Sequence, residues 1–109
     1  MLYYIMTKVT LYYADWCGHC KTFKPVWDSL KPYFKKNNIE YKDFEDNKYP
    51  DIIKNEKIQA FPTIMIEKNG LKYEYNGERS VDGLVRELIP NIQLGGKRLK
   101  KYKIFYNFI

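Results

Sequence analysis

The two cysteines of this chain stand three positions apart, in the run Cys17-Gly18-His19-Cys20. Thiol-disulfide exchange needs one thiolate to attack and a second thiol near enough to displace the mixed disulfide that results. Cys-x-x-Cys on the first turn of a helix supplies both. There the unpaired backbone N–H groups and the positive end of the helix dipole favour a negative sulfur, so Cys17 is the expected nucleophile. Cys20, on the apolar side of the same helix, is the expected resolving thiol. The dipole gives only about 0.3–1 kcal/mol, at best about 2. Lowering a thiol from ~8.5 to ~4.5 takes roughly 5 kcal/mol at ~1.36 kcal/mol per unit. Hydrogen bonds from the Cys20 backbone and thiol and a partly positive His19 are expected to supply the rest, with Lys21 assisting and Asp15 opposing. Stabilising the thiolate stabilises the reduced form and makes the disulfide a stronger oxidant.

Two cysteines are too few for a stapled secreted scaffold. A zinc site usually has four ligands, and His19 is the only histidine that could join them, so no metal and no other cofactor is expected. A length of 109 residues suits one core and one domain. No apolar run reaches membrane-spanning length, and Met1–Met6 lacks the basic start and cleavage site of a signal peptide, so a soluble, cytosolic protein is expected.

The net charge of +6 is local. Five of the nineteen basic residues are Lys97, Arg98, Lys100, Lys101 and Lys103, which leaves 14 basic against 13 acidic groups in the first 96 residues. The body is nearly neutral, and no nucleic-acid-binding pattern accompanies the tail, so nucleic acid is not the expected partner. Residues 1–93 are read as the domain and 94–109 as a basic and aromatic tail behind the Gly95-Gly96 hinge. Its Ile104, Phe105, Tyr106, Phe108 and Ile109 would suit packing, a partner groove or a membrane surface, the first two being preferred.

The elements that position the cysteines follow from periodicity. Thr7–Ala14 reads as a buried strand running into the motif. Cys20, Phe23, Val26, Trp27, Leu30 and Phe34 fall on one helical stripe, which Pro25 and Pro32 are expected to kink or break. Asn37-Asn38 ends that helix. A strand over 39–45, a short helix over 49–56 and strands over 63–67 and 71–75 follow, the last two joined through an Asn69-Gly70 hairpin. Ser80 caps a final helix carrying Val81, Leu84, Val85, Leu88 and Ile92. The order β-α-β-α-β-β-α gives a mixed four-stranded α/β sheet with helices on both faces.

Ala14-Asp15-Trp16-Cys17-Gly18-His19-Cys20-Lys21 resembles the active-site signature of the thioredoxin superfamily, in the form found in catalytic domains of protein disulfide isomerases. The resemblance covers roughly residues 7–92, with Pro25 at the place of the family's helix kink and Phe61-Pro62-Thr63 at its cis-proline. It implies a thioredoxin-like fold. It also implies a cis Phe61–Pro62 bond facing the cysteines, with Trp16, Phe61 and Pro62 forming a substrate platform. Gly77-Glu78-Arg79 resembles the loop whose arginine assists release of the second cysteine.

One departure stands out. Six residues before the first cysteine the family carries a buried acid that trades protons with the second, and here that position is Leu11. Lys42 matches the lysine that accompanies the acid, so half of the pair is expected to remain. Slower turnover than that of a full isomerase domain follows. The short run before Cys17 reads as a trimmed first strand and helix. With the composition poor in Ala and the motif lacking an export signal, it resembles redox proteins of large DNA viruses, which would place it in a host cytoplasm or virion.

The functions implied are formation or isomerisation of disulfides in protein substrates, with a redox partner left unidentified. A thioredoxin-like reductant and a non-catalytic adaptor or virion component stay open beside it.

Overall fold

A computed structural model describes residues 6–89 of the chain. The elements are β1 (Thr7–Tyr13), α1 (Gly18–Lys36), β2 (Glu40–Glu45), α2 (Pro50–Asn55), β3 (Thr63–Lys68), β4 (Leu71–Glu74) and α3 (Val81–Leu88), in the predicted order. Ile92, the domain boundary at 93 and the tail 94–109 lie outside the described residues.

The sheet runs β2-β1-β3-β4. β1 is parallel to β2, which the long α1 crossover permits, and antiparallel to β3. β3 turns into β4 through Asn69 and Gly70, both with positive φ (52° and 84°), the conformation a two-residue hairpin of right-handed twist demands.

Alternation along β1 sends Val9 and Leu11 to one face, where their register partners are Ile66 and Ile64 of β3. All four are essentially closed to solvent. Onto them α1 lays Phe23, Trp27, Leu30 and Phe34, and α3 lays Leu84 and Leu88, forming one core. The opposite face carries the Tyr12–Phe44 stack, which Tyr49 at the head of α2 meets edge-on at 5.2 Å. Helices thus cover both faces.

Of the kink or break expected in the first helix, the break does not occur: α1 runs through Pro25 and Pro32 as one 19-residue helix. A proline inside a helix costs about 3 kcal/mol. Both lie on the exposed side, where water receives the carbonyls they leave free. Each of the large side chains buried on the opposite stripe contributes roughly 1.5–3 kcal/mol, which outweighs that cost.

Candidate functional site

β1 delivers the chain to the site and a tight turn reverses it. The Cys17 N–H donates to the Ala14 carbonyl at 3.1 Å, closing the turn Ala14–Cys17. Cys17 then serves as the N-cap of α1, its backbone extended, and its sulfur accepts the Cys20 N–H at 3.3 Å. A sulfur thus occupies the place a serine or aspartate oxygen usually takes. The first turn of α1 holds no acidic side chain to compete for those amides.

The two thiols are unequal. Cys17 is 8% exposed and Cys20 2%, both packed with Ala14, Tyr13 and Phe61. Burial pushes the Cys17 thiol up, but hydrogen bonds from the Cys20 side chain and from the Cys20 and His19 amides, with the Arg79 charge, hold it below the ordinary thiol range. Burial first, and then the bond to Cys17, push Cys20 up to about 11. The lowered thiol is the one at the helix terminus. The attacking thiol is nonetheless largely enclosed, with 8% of its surface open to solvent.

The other residues singled out by sequence gather around this pair. The Phe61–Pro62 bond is cis. The Cys17 thiol points at the Phe61 carbonyl, 3.5 Å away. Trp16 is 65% exposed and meets the Phe61 ring edge-on at 5.9 Å, forming an aromatic rim beside the sulfurs. Arg79 donates to the Pro62 carbonyl at 3.5 Å, and its charge favours the thiolate at both cysteines. His19 is at the surface and gives the Cys17 sulfur its backbone N–H.

Comparison with known proteins places this arrangement. The family model named Thioredoxin matches residues 6–90, most of the chain. The chain belongs to the thioredoxin family. Within the thioredoxin family, it is 39% identical over 79 residues to protein disulfide-isomerase 5-2 of Arabidopsis thaliana, covering 71% of this chain and 18% of that protein. It is 32% identical over 95 residues to the protein disulfide-isomerase of Hordeum vulgare, covering 82% of this chain and again 18% of the relative. The chain therefore spans about a fifth of the length of these relatives. Among solved structures it resembles the first thioredoxin domain of mouse protein disulfide-isomerase A4, with a TM-score of 0.64 and 28% identity, over 75% of this chain and 60% of that one.

Where this thioredoxin-family domain departs from expectation is beneath the motif. Leu11 is fully buried, as a residue in the place of a buried acid should be. Lys42, however, is not its neighbour. The register pairs Lys42 with Thr10, and strand alternation turns it to the other face, where it is exposed and lies 3.9 Å from Glu40. Asp43 stands beside Leu11, and accepts the Trp27 indole N–H at 2.9 Å. Sequence reasoning also passed over Glu45, which is 2% exposed and accepts the Asp15 amide under the motif. The period-two pattern of Tyr41, Asp43 and Glu45 was the signal for both acids.

No helix among the described residues is long and apolar enough to cross a membrane.

Proposed function

We propose that this domain is a thiol-disulfide oxidoreductase that forms or isomerises disulfides in protein substrates. The observation that carries the reading is the asymmetry of the cysteine pair: a Cys17 sulfur capped by amides and a Cys20 thiol pushed up to about 11. As thiolate, Cys17 attacks a substrate disulfide, forming a Cys17–substrate disulfide and expelling a substrate thiolate, which takes a proton from water. In isomerisation that sulfur, again as thiolate, attacks another disulfide of the substrate, and a substrate thiolate then attacks the mixed disulfide, re-forming a substrate disulfide and releasing Cys17 as a thiolate. In the oxidising direction a substrate thiolate attacks the Cys17–Cys20 disulfide at Cys17, and Cys20 leaves as a thiolate that must gain a proton. Arg79, by favouring the thiolate at Cys20, assists that departure.

Substrate binding falls to the rim. Trp16 and Phe61 offer apolar surface, and the carbonyls of Phe61 and Pro62 face the sulfur and Arg79. An extended polypeptide laid there brings its own sulfur to Cys17. His19 favours the Cys17 thiolate through its backbone N–H.

Direction is set by the reduction potential, about −180 mV for disulfide isomerase and about −270 mV for thioredoxin. Equilibration with glutathione followed by alkylation is expected to give a value near the former. A value at or below about −260 mV would make the protein a reductant instead.

A further inference from the structure

Glu45 is a buried carboxylate that the exchange chemistry does not use, and both of its oxygens are committed. Its Oε2 accepts the Asp15 N–H at 3.1 Å, and its Oε1 accepts the N–H groups of Asn47 and Lys48 at 2.9 and 3.0 Å. Asp15 lies in the turn that ends at Cys17; Asn47 and Lys48 lie between β2 and α2. The carboxylate therefore ties two loops that are 30 residues apart in sequence. A second tie runs alongside, from the Asp46 N–H to the Tyr13 carbonyl at 2.8 Å. A buried carboxylate is stable only when such donors replace its water. Its acceptance of three amides makes it an anchor rather than a base free to move a proton.

We propose that Glu45 is a positioning residue for the exchange reaction, fixing through the Asp15 amide the turn that sets Cys17 at the N-cap. If that turn relaxes, the Cys17 sulfur drifts from the Cys20 and His19 amides and loses its thiolate stabilisation. The inference rests on the reading of Cys17 as the attacking thiol.

The direction of the effect separates positioning from simple charge. Removing a nearby anion through space would lower the Cys17 pKa, whereas loosening its turn raises it. In the full, reduced chain, the iodoacetamide alkylation rate of Cys17, followed by peptide mass against pH, is expected to have its midpoint raised by about one unit in Glu45→Gln. That is about a tenfold smaller thiolate fraction at pH well below the midpoint.

A second pair of variants decides if Glu45→Gln does not fold. Asp15 occupies the second position of the Ala14–Cys17 turn, where proline is favoured, so Asp15→Pro removes the N–H together with the charge, while Asp15→Ala removes the charge and keeps the N–H. The midpoint in Asp15→Pro is expected above that in Asp15→Ala. An unchanged or lowered midpoint in folded Glu45→Gln, or equal midpoints in the two Asp15 variants, would overturn the proposal. If wild-type Cys17 is not alkylated ahead of Cys20, the reading of Cys17 itself is what fails.

Discussion

Cys20 donates its backbone N–H to the Cys17 sulfur while its own thiol is buried on the apolar stripe of α1. One residue thus stabilises its partner as an anion and is itself kept neutral. A single helical turn divides the two roles that exchange requires.

That division predicts two separate titrations in the reduced protein. Cys17, lowered by the Cys20 and His19 hydrogen bonds and Arg79 against its burial, ionises first, with its midpoint below the ordinary thiol range. Cys20 follows near 11. Alkylation at each cysteine, resolved by peptide mass across pH 5–12, reads both steps, and Arg79→Gln is expected to move both upward. Stability follows the same signs. The contribution of Cys20, whose folded pKa is raised, is full below the unfolded thiol value and is lost as pH rises toward 11. The Cys17 contribution is present above the unfolded value and is lost as pH falls through its lowered folded value.

Leu11 and Asp43 predict a different behaviour for a restored acid. Leu11→Glu places a carboxylate in a fully buried site whose strand partners are Asp43 and Ile64, neither of them a cation, and is expected to destabilise by about 3–5 kcal/mol in urea unfolding. Adding Asp43→Lys supplies the cation but takes the acceptor from the buried Trp27 indole N–H, so only part of that loss is expected to be recovered. In the double variant the resolution step should be several-fold faster than in wild type. Equal resolution rates would mean that Leu11 does not limit turnover.

Gly83 packs closely against the backbone that leads into Arg79. A Cβ there would stand 2.5 Å from the Glu78 carbonyl and 2.7 Å from the Tyr75 hydroxyl, which itself donates to that carbonyl. Gly83→Ala must push the backbone before Arg79 outward, and is expected to destabilise by about 1–3 kcal/mol, the usual range for overpacking. Thermal unfolding checks it. The same variant should raise the alkylation midpoints of both cysteines through displacement of Arg79.

Much of this was legible in the sequence because it is local. The order of elements follows from periods of 2 and 3.6, the hairpin from Asn69-Gly70, and the cap of α3 from Ser80, whose hydroxyl accepts the Gly83 N–H at 3.0 Å. The cysteine pair reads from four adjacent residues. What the sequence hid depends on register and on packing summed over a whole element. Lys42 and Asp43 exchange faces with a shift of one residue, which only the pairing of β1 with β2 settles. The Glu45 tie joins segments thirty positions apart. The prolines of α1 signal a break locally, and the buried stripe overrides them.

The most direct measurement is capture of a substrate on one sulfur. Reduced Cys20→Ala, mixed with a disulfide-bonded protein such as insulin, is expected to accumulate a mixed disulfide through Cys17, seen by mass on non-reducing analysis, while Cys17→Ala accumulates little. Absence of any mixed disulfide in Cys20→Ala, or equal trapping by the two variants, would contradict the assignment of Cys17 as the attacking thiol and Cys20 as the resolving one.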